Sequence, residues 1–235
     1  MPMRIAEIYA SLQGEGLLAG TPSTFVRTSG CNLRCHWCDT PFTSWEPVGD
    51  QRSVDEVVTA VAALGRDHAV ITGGEPLLFS DVADLTRILR GRGCHVTIET
   101  AGTVWLDADA DLMSISPKLA SSGPPADTAG GWATRHAAAR RRDDVILALM
   151  RRSNWQLKFV IDCKADLDEA VAWIAALDAA HPGGVDRSRV LFMPQGRQTA
   201  ELAATTAWLA EECRRLGVHL AHRYHIEWFG HTRGT

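Results

Sequence analysis

Six short apolar stretches recur along the chain, and each is followed by polar or glycine-rich residues. Their length and their content of β-branched and aromatic residues are typical of buried strands. Longer amphipathic stretches separate most of them, which indicates strands that alternate with helices. The predicted strands are "STFVRTS" (23–29), "HAVITGG" (68–74), "CHVTIET" (94–100), "DLMSISP" (111–117), "WQLKFVID" (155–162) and "RVLFMP" (189–194).

The amphipathic stretches carry helix start and stop signals. Residues 53–65 open with a capping box from Ser53 to Glu56 and place valines on one face. A second helix is predicted over 80–93, a third is capped by Asp166 with Glu169 completing its box, and a fourth runs from Thr199 to Leu216. Gly217 then ends the fourth helix.

Strands that alternate with helices of this length predict right-handed crossovers and a parallel sheet. Six strands favour an α/β fold with an open, partial β/α barrel over a closed eight-stranded one. We expect a single domain over 1–235. Residues 119–154 contain a glycine- and proline-rich loop and a basic helical stretch, and are predicted to be an insertion within that domain.

Composition narrows the possible functions. The chain has 235 residues, 46% hydrophobic and 22% charged, which is ordinary for a globular protein. A net charge of −4 argues against broad attraction to nucleic acid or membranes. The first residues lack the apolar core of a signal peptide, and no segment resembles a membrane span. We therefore expect a cytoplasmic protein with reduced thiols.

Three of the six cysteines lie within eight residues, as Cys31, Cys35 and Cys38 in a C-x3-C-x2-C pattern. Three thiolates on a [4Fe–4S] cube leave one iron open for another ligand. The amine and carboxylate of S-adenosylmethionine (SAM) suit that position, and the pattern resembles the radical SAM enzymes. The alternative is a zinc site of the three cysteines with His36 or another histidine.

Polar and glycine-rich motifs also follow the other predicted strands. "TGGEP" (72–76) offers two glycines for close backbone approach and Glu75 as an acceptor for the ammonium of SAM. "ETAG" (99–102), "SPK" (116–118) and "PQG" (194–196) come after later strands. The carboxyl ends of parallel strands meet at one edge, so these loops predict one active site there.

Together with "SLQGEG" (11–16), Arg27 and "CDT" (38–40), these motifs resemble the 7-carboxy-7-deazaguanine synthase family. The resemblance runs from about Glu7 to the last strand and tail. It implies a radical-mediated contraction of 6-carboxy-5,6,7,8-tetrahydropterin to 7-carboxy-7-deazaguanine with loss of ammonia, on the way to queuosine and related 7-deazapurines. It also implies a carbon–nitrogen lyase, a homodimer, Mg²⁺ and an electron donor such as flavodoxin.

The resemblance assigns residues to each ligand, and the catalytic step to the radical formed from SAM rather than to a side chain. Cys31, Cys35 and Cys38 would bind the [4Fe–4S] cluster, and Thr40 would bind Mg²⁺. The resemblance assigns no substrate contact to the tail at 225–235 and leaves open whether the tail contacts the substrate. Substrate contacts are implied at Leu12, Gln13, Gly14, Glu15, Arg27 and Thr72, and SAM contacts at Trp37, Cys38, Asp39, Gly74, Glu75, Ser116, Pro117, Lys118 and Gln195.

Two other functions fit parts of the pattern. A glycyl-radical activase also carries C-x3-C-x2-C, but it acts on a protein and needs neither Arg27 nor the 11–16 loop. A zinc-stabilised binding module would use the cysteines without catalysis. The sequence leaves open whether the product goes to transfer RNA or to a deazapurine natural product.

Overall fold

The computed structural model describes residues 3–235, and its strands form one nine-stranded sheet. The six predicted strands are confirmed as β2 and β4 to β8. The strands are β1 Met3–Leu12, β2 Pro22–Thr28, β3 Asp50–Arg52, β4 His68–Gly73, β5 His95–Thr100, β6 Leu112–Ile115, β7 Trp155–Ile161, β8 Val190–Pro194 and β9 His219–Leu220.

Helices connect the parallel strands. The capping box of Ser53 and Glu56 is confirmed at the start of α2, and the fourth predicted helix is confirmed with its end at Gly217. The helices are α1 Pro41–Ser44, α2 Val54–Ala63, α3 Asp81–Gly91, α4 Trp132–Ala139, α5 Asp143–Arg152, α6 Lys164–Ala180, α7 Thr199–Leu216 and α8 Tyr224–Phe229.

The sheet is open, as predicted. Its order is β3-β1-β2-β4-β5-β6-β7-β8-β9, with parallel pairing from β2 through β9. Strand β1 was not predicted; it pairs antiparallel with β2, and β3 pairs antiparallel with β1. Met3 and Ile5 of β1 are buried while Arg4 is exposed, so the alternation in this segment was a usable strand signal.

The predicted cap of the third helix is wrong. Helix α6 begins at Lys164 and its N-cap is Cys163, which makes no side-chain capping bond. Asp166 instead accepts a hydrogen bond from Asp162 N at 2.9 Å, and Glu169 accepts one from Ala120 N at 2.8 Å. Asp166 therefore bonds locally, from the first turn of α6 to the residue before its N-cap, whereas Glu169 binds a distant segment.

The 119–154 segment contains two helices with different roles. Helix α5 lies between β6 and β7 and buries Val145, Ile146 and Leu149 in the core, as a crossover helix of a β/α unit does. Helix α4 and the loop before it are additional to that unit. One apolar core extends from Met3 to Val218, which favours the single domain that we predicted.

The core is centred on aromatic side chains between the sheet and its helices. Trp173 and Phe159 are fully buried, and their rings meet edge to face at 5.9 Å. Phe159 also meets Phe192 of the next strand at 6.2 Å. No helix in the described part of the chain combines the length and apolar character needed to cross a bilayer.

His68 at the start of β4 is a buried polar group in this core. Its ring nitrogens contact Ser23 Oγ at 2.7 Å and Thr97 Oγ1 at 2.8 Å, which ties three adjacent parallel strands together. Burial, reinforced by the neighbouring His95, lowers the pKa of His68 to about 4. The folded protein therefore holds this ring neutral.

We predict that the free energy of unfolding falls as the pH is lowered from about 6.5 to about 4. Between these pH values His68 binds a proton in the unfolded chain but not in the folded protein, so acid favours unfolding. Urea denaturation of the apoprotein at several pH values measures the slope. His68→Leu should flatten this slope relative to the wild type; an unchanged slope would contradict the assignment.

Candidate active site

A cavity of about 490 Å³ opens at the carboxyl ends of the parallel strands. The loops after β2, β4, β5 and β6 line it, as their sequence positions predicted, and Met193 of β8 adds to the wall. Fifteen of the eighteen predicted site residues line the cavity; Glu75, Pro117 and Gln195 do not.

The three cysteines of the loop after β2 lie together on the cavity wall. Cys31, Cys35 and Cys38 pack with Leu33 and Ala101 in one small apolar cluster. Burial raises the pKa of Cys31 to about 12 and that of Cys35 to about 11, so the metal-free thiols stay protonated. Binding to iron exchanges those protons for a cation, and this donor set suits an iron–sulfur cluster.

The thiols do not form a mononuclear metal site. Among residues 3–235, no group of three or more His, Cys, Asp or Glu side chains is arranged to hold one metal ion. A structural zinc ion needs four ligands around a single point. In a [4Fe–4S] cube each thiolate binds a different iron, so its ligands stay further apart. This geometry favours the cluster over the zinc alternative.

The loop after β4 packs directly on the cysteine loop. Gly74 N donates to Thr28 O at 3.1 Å, and Glu75 N donates to Gly30 O at 2.9 Å. A Cβ on Gly74 would overlap the Gly30 carbonyl, so the two backbones meet only because residue 74 is glycine. Gly74 therefore lies on the cavity surface beside the cysteines.

Glu75 lies behind the cavity wall and is held by hydrogen bonds. Its side chain is fully buried. The carboxylate accepts hydrogen bonds from Leu77 N at 3.1 Å, Thr100 Oγ1 at 2.8 Å and Ala101 N at 2.9 Å. Burial raises its pKa. The carboxylate thereby joins the loops after β4 and β5, and its contact with the SAM ammonium remains a prediction.

The remaining predicted SAM residues divide into two groups. Trp37, Asp39, Ser116 and Lys118 line the cavity. Lys118 Nζ donates to Ser116 O at 2.9 Å and to Ser116 Oγ at 2.8 Å, and lies 5.9 Å from the Trp37 ring centre. These bonds hold the lysine at the cavity. Pro117 and Gln195 lie off its surface, and their contacts with SAM remain predictions.

Elsewhere in the cavity, polar side chains form a hydrogen-bonded row. Gln13 Nε2 donates to Glu99 Oε1 at 3.1 Å, and Thr72 Oγ1 donates to Glu99 Oε2 at 2.8 Å. All three line the cavity. Glu99 was not among the predicted site residues, although "ETAG" was noted; its position at the end of β5, beside Thr72 on β4, was the available signal.

Arg27 lies in the cavity wall within a chain of charges. Its Nε donates to Glu7 Oε1 at 2.6 Å, and its Nη2 donates to Tyr9 OH at 2.5 Å. Arg233 of the tail donates to Glu7 Oε2 at 2.7 Å. Glu7, Tyr9 and Arg233 were missed, because their contacts depend on the unpredicted strand β1 and on the tail.

A second set of charges surrounds Glu15. Its carboxylate pairs with Lys158 and with Arg223, whose guanidinium also pairs with Asp39 and donates to Gly196 O at 2.5 Å. Burial alone would raise the pKa of Glu15, but these two cations lower it far below its usual value. Burial alone would lower the pKa of Lys158, but the neighbouring Glu15 raises that pKa. Both groups are therefore charged.

Thr40 offers a hydroxyl oxygen to the cavity. Thr43 Oγ1 donates its proton to Thr40 O at 2.9 Å. In the 3.1 Å contact between the two hydroxyls, Thr40 Oγ1 is therefore the donor and Thr43 Oγ1 the acceptor. Thr40 makes no side-chain capping bond to α1, which argues against a purely structural cap. Asp39 Oδ1 beside it is buried without a hydrogen-bond partner among the described residues.

The tail, to which no contact was assigned, closes one side of the cavity. Tyr224 N donates to Gly14 O at 2.9 Å, and a Cβ on Gly14 would press against His225. His225 and residues 231–235 line the cavity. Trp228 stacks on Tyr224 and remains 42% exposed, so it is only partly a packing residue.

Part of the chain that lines the cavity matches a known family. Residues 25–118, from β2 to the loop after β6, match the model of the Radical SAM superfamily. Over nearly the whole chain, the similarity is to 7-carboxy-7-deazaguanine synthases. The protein from Rhodopirellula baltica is 42% identical and the match covers 98% of this chain and 88% of that protein; for Halobacterium salinarum the values are 44%, 94% and 88%.

Solved structures share the fold. QueE from Escherichia coli superposes with a TM-score of 0.70 at 24% identity, covering 96% of this chain and 95% of that one. SuiB from Streptococcus suis superposes with a TM-score of 0.54 at 13% identity, covering 86% of this chain and 47% of that one. At these identities the likeness supports the sheet and helix arrangement.

We predict that Gly74→Ala destabilises the apoprotein by about 1 to 3 kcal/mol, the usual cost of forcing a methyl group into a packed contact. The matched control is Gly91→Ala at the end of α3, where an added Cβ meets nothing within 4 Å. Urea denaturation compares the two. Equal free energies of unfolding for the two variants would show that the loops can separate without a loss of stability.

Proposed function

This chain belongs to the 7-carboxy-7-deazaguanine synthase family and carries a radical SAM domain, and on that premise we propose its reaction and its residue roles. The reaction is the contraction of 6-carboxy-5,6,7,8-tetrahydropterin to 7-carboxy-7-deazaguanine with release of ammonia. This reaction is that of a carbon–nitrogen lyase.

One observation carries the proposal. A single cavity is lined by three cysteines and also by the hydrogen-bonded row of Gln13, Thr72 and Glu99, together with Arg27. The cysteines suit a cluster, whereas the row with Arg27 suits a planar heterocycle that bears a carboxylate. A glycyl-radical activase, which acts on a protein, has no use for this row.

On the cysteine side, the chain's task is to bind and orient the cofactors. When bound, the [4Fe–4S] cluster and SAM supply the radical that starts the ring contraction. Cys31, Cys35 and Cys38 would hold the cluster. Gly74 lets the cofactor approach the backbone, while Ser116 and Lys118 lie where a polar nucleoside end could be held.

On the substrate side, the chain's task is to recognise the pterin. Its amide-like edge presents donors and acceptors, which Gln13, Thr72 and Glu99 can match. The two bonds of Arg27 to Glu7 and Tyr9 use two of the five N–H groups of its guanidinium. The other groups can reach a substrate carboxylate in bidentate geometry.

The charged pairs around Glu15 would keep this recognition fixed. Arg223 connects Glu15 on the pterin side to Asp39 on the cofactor side, and it is 3% exposed. Because one buried guanidinium bridges both carboxylates, neither loop can move without separating an ion pair. The two ligands would thereby be held in one relative orientation.

Four further features remain proposals. Thr40 would bind Mg²⁺ together with substrate oxygens, since hard cations prefer oxygen ligands. An external reductant such as flavodoxin would supply the electron. We further propose a homodimer and a cytoplasmic location, with no nucleic-acid or membrane partner.

The decisive test of the reaction is an anaerobic assay with the carboxy-tetrahydropterin, SAM, a reductant and Mg²⁺. We expect 7-carboxy-7-deazaguanine and ammonia in equal amounts, measured by mass spectrometry and an ammonia assay. Cluster-replete protein that releases neither product would refute the proposed reaction.

Replacing Cys31, Cys35 or Cys38 with alanine should abolish stable cluster assembly and turnover, because each removes one of three protein ligands. Iron and sulfide analysis after anaerobic reconstitution measures the effect. Cys94→Ala is the control, since Cys94 is half-buried and outside the cavity. Full iron content in any one of the three variants would contradict the ligand assignment.

Thr40→Val should raise the Mg²⁺ concentration that gives half-maximal rate, because it removes one oxygen ligand while keeping the side-chain shape. A loss of about 1 to 2 kcal/mol corresponds to a roughly 5- to 30-fold change. Thr40→Ser keeps the hydroxyl and should behave like the wild type. A lower melting temperature at an unchanged Mg²⁺ requirement would instead indicate a structural role.

A further inference from the structure

The peptide N–H groups on both sides of Cys35 are bound by the additional segment before α5. Arg34 N donates to His136 Nδ1 of α4 at 3.2 Å, and His36 N donates to Ser122 O at 3.1 Å. These donors belong to the cysteine loop, which connects β2 to α1. The loop therefore obtains part of its hydrogen bonding from a segment about 100 residues later.

The hydroxyl of Ser122 determines the state of the His136 ring. Ser122 Oγ donates to Leu119 O at 2.6 Å, so its 2.9 Å contact with His136 Nε2 requires a proton on that nitrogen. Nδ1 is then the free acceptor that Arg34 N needs. His136 is 1% exposed, so the neutral ring is enclosed together with the loop that it binds.

A second contact joins the same two segments. The Arg34 guanidinium lies 3.9 Å from the centre of the Trp132 ring, at the start of α4. Arg34 Nη1 also donates to Cys31 O and Leu33 O, each at 2.8 Å. The arginine thus binds the backbone that carries the first two cysteines and is covered by Trp132.

We propose that His136 is a positioning residue for the iron–sulfur site, and that helix α4 serves as a brace on the cysteine loop. His136 and Ser122 fix the backbone on either side of Cys35, while Trp132 and Arg34 fix the stretch from Cys31. The brace holds the thiols at the separation that the cluster requires. This inference rests on the proposed cluster but not on the proposed substrate.

The test compares two substitutions at one position. His136→Phe keeps an aromatic ring and removes both hydrogen bonds, whereas His136→Asn can place its amide oxygen where Nδ1 accepts from Arg34. The matched control is His68→Phe, since His68 is also buried and contacts two hydroxyl groups but lies outside the cavity. All three variants are reconstituted anaerobically.

Iron loss to an added chelator, followed by the visible absorbance of the cluster without substrate, is the first readout. We expect His136→Phe to lose iron about tenfold faster than the wild type, as for one net hydrogen bond. His136→Asn should stay within about threefold, and His68→Phe should match the wild type although its melting temperature falls. The second readout is the reduction potential, which we expect to shift in His136→Phe alone.

Equal iron loss and equal potential in His136→Phe and the wild type would overturn the proposal, as would faster loss in His68→Phe. If His136→Phe does not fold, Trp132→Leu tests the same contact between α4 and the cysteine loop. Iron loss and a reduction potential equal to those of the wild type in Trp132→Leu would also overturn the proposal. A wild type that holds its cluster yet makes no deazaguanine product refutes the proposed function and leaves this inference standing.

Discussion

The close backbone contact between the ends of β2 and β4 is the constraint on which the site depends. Gly74 N and Glu75 N donate to Thr28 O and Gly30 O, and Gly30 N in turn donates to Thr43 O. A side chain at residue 74 would separate these segments. The cysteine loop is therefore set against the next strand by backbone hydrogen bonds, before any cofactor binds.

Glu75 extends this contact to a third strand. Its buried carboxylate accepts bonds from Thr100 and Ala101 at the end of β5, and these bonds offset the cost of burying a carboxylate away from water. The loops after β2, β4 and β5 thus form one unit. The α4 brace adds support from the far side, through His136 and Arg34.

The other half of the cavity is held by charge. Glu15 lies between Lys158 of β7 and Arg223 of the tail, and Arg223 continues to Asp39 beside the cysteines. These groups come from four distant parts of the chain. The proposed cofactor side, held by hydrogen bonds, and the proposed substrate side, held by charge, therefore line one cavity, which suits a reaction in which the cofactor radical must meet one position of the substrate.

The sequence by itself determined the parallel strands, most helix limits, the grouping of the three cysteines and fifteen residues of the cavity, because these features depend on local periodicity and on spacing within single loops. It did not reveal β1, the start of α6, Glu99 as a partner of Gln13, or the tail as a cavity wall. Only the tertiary structure could show that Glu75 is a buried link between loops. Its partners Thr100 and Ala101 lie on another strand, and such contacts depend on which strands become neighbours.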